Sequence, residues 1–133
     1  MRLETDNHLV ENVPAGELRA ILARLSAEGD NRAILSVADE IYLQTAVFDN
    51  GFVVEKREGS EDRHFHAVPE HPPLPASRPK PKRSWWDRIF KVSDFLTSEC
   101  AFSKADMIEI FEAYLQGREP TVRLTWDSGY CDK

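Results

Sequence analysis

The chain has 133 residues and a formal net charge of −6, a size near the commonest for one domain. None of its apolar runs approaches the ~20 residues that a membrane-crossing helix needs. The opening Met1-Arg2-Leu3-Glu4-Thr5-Asp6 has no basic cap followed by an apolar stretch, so no signal peptide is expected and the reading is cytoplasmic. Cys100 and Cys131 form no CxxC pair and are too few for a disulfide framework, which predicts free thiols in a reducing compartment.

The charge is unevenly spread. Between Arg78 and Lys91 six basic residues face one acid, Asp87, a local charge of +5 that leaves −11 on the remainder. An acidic body repels nucleic acid and anionic lipid and suits a basic protein partner.

In chain order, the first thirteen residues read as loosely ordered. Pro14 then opens a helical pattern, with Leu18, Ile21, Leu22 and Leu25 on one face. Gly29-Asp30-Asn31 is expected to end that helix, because Gly and Asn accept the left-handed backbone past a helix terminus. From Ala33 the period falls to two. Residues 33–37, 41–48, 52–57 and 63–68 read as four strands, with Asp49-Asn50-Gly51 as a hairpin turn between the second and third. Six of the eight prolines lie between Pro69 and Pro81. Proline lacks an amide donor and disfavours helix before it, so residues 69–91 are expected to form an inserted loop, with a short helix at 84–90.

Ser103-Lys104-Ala105-Asp106 resembles a capping box. Met107, Ile108, Phe111, Tyr114 and Leu115 then share a helix face, Gly117 supplies the stop, and residues 121–126 alternate as a last strand. The expected fold is a single α+β domain over residues 1–133. It is an antiparallel meander of four to five strands with two main helices on one face and a proline-rich insertion.

Chemistry is sparse. Asp62, His64 and His66 alternate and would share one strand face, which makes His64 and His66 candidate zinc or iron ligands in need of others. No GxSxG, GxGxxG or GxxxxGKS motif occurs, which speaks against a serine hydrolase and against nucleotide chemistry. Neither cysteine lies in an active-site signature. Glu109 and Glu112, at i and i+3, share one side of the late helix, as a solvated face or an acidic contact patch. The segment Arg78 to Lys91 mixes charge with Trp85, Trp86, Ile89 and Phe90. It either anchors back on the core or forms a protein interface, for which tryptophan and arginine are the favoured hot-spot residues.

Several pieces then stand together: Tyr42-Leu43-Gln44, Gly51-Phe52 with Glu55 and Gly59, His64-Phe65-His66-Ala67, Phe111 to Gly117 (FEAYLQG), and Trp126. They resemble small bacterial proteins akin to the immunity proteins encoded beside secreted antibacterial toxins, over roughly residues 33–68 and 103–126. The proline-rich insertion departs from that pattern. The resemblance implies a non-catalytic, cytoplasmic protein without cofactor that neutralises one cognate toxin by direct contact. Its partner-binding residues are then expected among Lys82, Arg83, Trp85, Trp86, Arg88, Glu109 and Glu112. The alternatives are an adaptor whose proline-rich basic arm is itself the ligand, and a metal-dependent enzyme built on His64 and His66.

Overall fold

A computed structural model describes residues 1–48, 51–60, 62–70 and 101–127. The insertion beyond Glu70, the 84–90 helix and both cysteines lie outside the described residues.

One antiparallel sheet of seven strands organises the described residues. It comprises β1 (Arg2–Thr5), β2 (Leu9–Val10), β3 (Arg32–Ala38), β4 (Ile41–Phe48), β5 (Gly51–Glu58), β6 (His64–Pro69) and β7 (Leu124–Asp127). Their spatial order is β2-β1-β3-β4-β5-β6-β7. Among the described residues two helices, α1 (Ala15–Ala23) and α2 (Lys104–Gln116), complete the α+β fold. Neither is long and apolar enough to cross a membrane.

The meander forms because β-branched and aromatic residues alternate between short turns. Phe48 pairs with Gly51 and Ile41 with Glu58, so one register runs the whole length of β4 and β5. A Cβ on Gly51 would lie 2.7 Å from the Phe102 carbonyl oxygen. There the backbone before α2 bridges to β5, with Phe52 and Phe102 exchanging hydrogen bonds of 2.9 and 2.7 Å.

The strand count exceeds the four to five expected. The first thirteen residues, read as loosely ordered, contain β1 and β2, and Leu3 there is fully buried. Asp30 provides the reason. It accepts hydrogen bonds from Thr5 Oγ1 (2.6 Å) and Asn7 Nδ2, and its carboxylate lies 3.2 Å from His8 Nδ1. The Thr5 hydroxyl, above all, holds the Asp30 carboxyl below its usual range. Asp30 thus pins the N-terminal hairpin and does not cap a helix. The α1 helix stops earlier, at Ala23, where Arg24 and Leu25 bond back three residues and tighten the last turn.

The α2 helix begins and ends as its sequence dictates. Ser103 Oγ accepts from the Asp106 amide at 3.2 Å, and Gly117 takes the left-handed conformation with φ 70°. Leu18, Ile21 and Leu22 of α1 join Met107, Ile108 and Phe111 of α2 in one core with Leu3, Leu35, Leu43 and Val54 of the sheet. Both helices therefore cover the same sheet face. At its edge, Lys56 Nζ sits 4.3 Å from the centroid of the Trp126 ring and 5.6 Å from that of Phe65.

Candidate functional site

Side chains alternate along a strand, and residues paired across strands point to the same side. The register therefore defines what the other sheet face carries. One transverse row runs Glu4, Ile34, Gln44, Glu55, His66, Asp127 from β1 to β7. The next row runs Arg2, Ser36, Tyr42, Arg57, His64. Tyr42, Glu55, Arg57, His64 and His66 meet at β4, β5 and β6 on this face.

Glu55 is its centre. It is 0% exposed, and Gln44 and His66, its two cross-strand neighbours, are each 2% exposed. Glu55 Oε1 lies 2.5 Å from His64 Nε2. His64 Nδ1 in turn faces Arg57 Nε at 3.4 Å, and Arg57 Nη1 donates to Glu40 Oε1 at 2.8 Å. A line of polar groups thus connects a buried carboxyl to the β3–β4 turn. Arg57 also lies over the Tyr42 ring, 5.7 Å from guanidinium carbon to centroid.

Burial drives the Glu55 pKa well above the usual carboxylate range, and the Arg57 charge opposes the rise only in part. Arg57 Nε is a donor, so Nδ1 of His64 accepts and Nε2 carries the imidazole hydrogen toward Glu55 Oε1. A proton on Glu55 then belongs on Oε2. That oxygen is buried without a hydrogen-bond partner, as is the Gln44 amide nitrogen beside it in the same row.

The sequence-derived candidates fall into three groups. His64 and His66 do share a strand face, as their spacing requires, but Asp62 lies exposed before β6 begins. Among the described residues no group of three or more His, Cys, Asp or Glu side chains is arranged to hold a metal ion. Glu109 and Glu112 are both drawn into the fold. Glu109 takes Arg118 Nη1 at 2.7 Å and the Thr121 amide at 2.9 Å, and the Arg118 contact above all depresses its pKa to about 2. Glu112 is buried and accepts from Arg19 Nη2 of α1 at 2.7 Å, tying the two helices together. Lys82, Arg83, Trp85, Trp86 and Arg88 lie outside the described residues.

Glu55, Arg57 and Gln44 did not stand out in the sequence as site residues. The antiparallel pairing of β4 with β5 places Gln44 opposite Glu55, and i, i+2 spacing adds Arg57 to the same face. No protein-family model, curated protein or solved structure matches this chain.

Proposed function

We propose that the chain is a non-catalytic binding protein of the immunity type, which neutralises one cognate bacterial toxin by direct contact in the cytoplasm. It uses no cofactor, and neither nucleic acid nor a membrane is its partner. The observation that supports this reading is how the titratable groups are spent. His64 meets protein groups at both ring nitrogens, whereas a general base or metal ligand needs a lone pair directed at substrate or ion. Glu55 is fully buried beneath the same face, and Glu109 and Glu112 are held by arginines.

Among the exposed described residues acids outnumber bases. Glu11, Glu17, Glu28, Asp39, Asp106 and Glu119 are all exposed. With −11 outside the basic run, such a surface steers a cationic protein toward it and accelerates encounter. The basic-aromatic run with Lys82, Arg83, Trp85, Trp86 and Arg88 offers a second, chemically distinct contact.

Tagged protein recovered from its native cell, with toxin-delivery genes induced, tests the reading. A single stoichiometric partner encoded next door supports it, and a bound metal or small molecule with no protein partner overturns it. Trp85→Ala combined with Trp86→Ala should then weaken the complex by about 2–4 kcal/mol, as buried interface aromatics do. Unchanged affinity in a folded double variant removes the run from the interface.

A further inference from the structure

The two edges of the sheet differ. At one lies β2, only 2 residues long. At the other lies β7, which among the described residues has β6 as its single neighbour. The register with β6 sets Trp126 opposite Ala67, Thr125 opposite Val68 and Leu124 opposite Pro69.

The parity of that ladder is fixed. Glu70 donates its amide to the Arg123 carbonyl at 3.1 Å. Facing residues of an antiparallel pair alternate between those that exchange backbone bonds and those that do not. Arg123, Thr125 and Asp127 therefore turn their amides and carbonyls toward β6. Leu124 and Trp126 turn theirs to the other side, where no strand lies among the described residues. Pro69, which has no amide to give, stands opposite Leu124, where none is called for. An edge of this kind is a template for a further strand.

The residues along the edge specify which strand fits. Laid antiparallel against itself about Thr125, the segment 123–127 sets Arg123 opposite Asp127, Leu124 opposite Trp126 and Thr125 opposite Thr125. Opposite charges and paired threonines are among the cross-strand combinations that stabilise a sheet. The same register makes Leu124 and Trp126 the residues that exchange backbone bonds, so charge and backbone agree. Moving the centre to Leu124 or to Trp126 keeps the backbone bonds but sets a threonine, Thr121 or Thr125, opposite Asp127 in place of Arg123. Arg123 also reaches outward. Its side chain is 78% exposed, and its contact with Glu70, at 3.7 Å, is a loose surface pair.

We infer that β7 is a self-association edge, at which two copies of this chain pair β7 with β7 antiparallel across a two-fold axis at Thr125. The sheet then continues from one copy into the next. The backbone bonds of Leu124 and Trp126 hold it, with an Arg123–Asp127 pair on each side of the axis. So small a contact makes the association concentration-dependent and not permanent. It goes beyond the toxin-binding reading, which neither requires nor forbids it.

Sedimentation equilibrium of the full chain, from micromolar to millimolar concentration, tests this. The expected result is a monomer–dimer equilibrium. Arg123→Asp and Asp127→Arg each set like charges opposite one another, and each should weaken dimerisation about tenfold. Combined in one chain they restore it. Mixing the two single variants restores it as well, because each supplies the charge that the other lacks.

A cross-link reads the same register with the charges left in place. Against a Cys100→Ser, Cys131→Ser background, Thr125→Cys meets its own copy in a pair that exchanges no backbone bonds. Cα atoms in such a pair are about 4.5 Å apart, within reach of a disulfide. Oxidation should link this variant and leave Thr121→Cys, far from its own copy in this register, unlinked. A chain that stays monomeric throughout the range overturns the inference. So does a dimer indifferent to both charge reversals, or one that Thr125→Cys fails to link, since either places the contact on another face.

Discussion

Replacing Glu55 by glutamine removes a titration from the middle of the sheet while keeping the side chain's shape. The amide oxygen can still accept from His64 Nε2, and the amide nitrogen takes the place of the unpartnered Oε2. In the wild type, the folded-state pKa of Glu55 is raised above its ordinary 4.5. The folded state therefore holds this proton more tightly than the unfolded chain. The resulting stabilisation is fully present below pH 4.5 and is lost as pH rises through the folded-state value. Between those limits the unfolded chain has released a proton that the folded chain keeps. Stability then falls by about 1.4 kcal/mol per pH unit, which for a domain of this size is roughly 3–5 °C of Tm. Urea and thermal unfolding from pH 4.5 upward at fixed ionic strength read this directly. The difference between wild type and Glu55→Gln isolates Glu55 from every other titrating group. The expected difference curve slopes in favour of the variant as pH rises. Parallel curves would show that Glu55 ionises as readily folded as unfolded, and would sink the account of the buried row.

Gly51→Ala sets a Cβ against the Phe102 backbone oxygen, a contact no flexible side chain can relieve. It should cost about 1–3 kcal/mol in equilibrium unfolding, and a neutral result would mean that the Phe52–Phe102 bridge shifts freely. Asp30→Ala frees Thr5, Asn7 and His8 together. It should destabilise by about 1–3 kcal/mol and hasten hydrogen exchange in β1 and β2 before the meander. Because the Asp30 pKa is lowered from 3.8, its contribution is present above that value and is lost as pH falls further. The wild-type and variant stabilities should therefore converge in acid, and a constant gap would contradict the role given to the carboxylate.

The meander was legible because its causes are local. Period-two alternation, short turns rich in Gly and Asp, and the Ser103 and Gly117 caps all act within a few residues of themselves. The N-terminal hairpin was not, because its strands are short and its anchor, Asp30, stands beyond the whole of α1. The same aspartate misled the reading of where α1 ends, since Gly29-Asp30-Asn31 resembles a helix stop whatever else it does. His64 and His66 were visible as a pair on one face. What defines their surroundings is the register across three strands, which sets Glu55 and Arg57 beside them. Glu109 and Glu112 looked like a free acidic face because their partners, Arg118 and Arg19, come from the following turn and from another helix.

Phe102, just before α2, bridges to Phe52 of β5, and Glu70, just after β6, bonds to Arg123 beside β7. Both points of attachment belong to the framework of strands and α2. A substitution that loosens either attachment therefore acts on β5 or β7, strands distant in sequence from the residue changed.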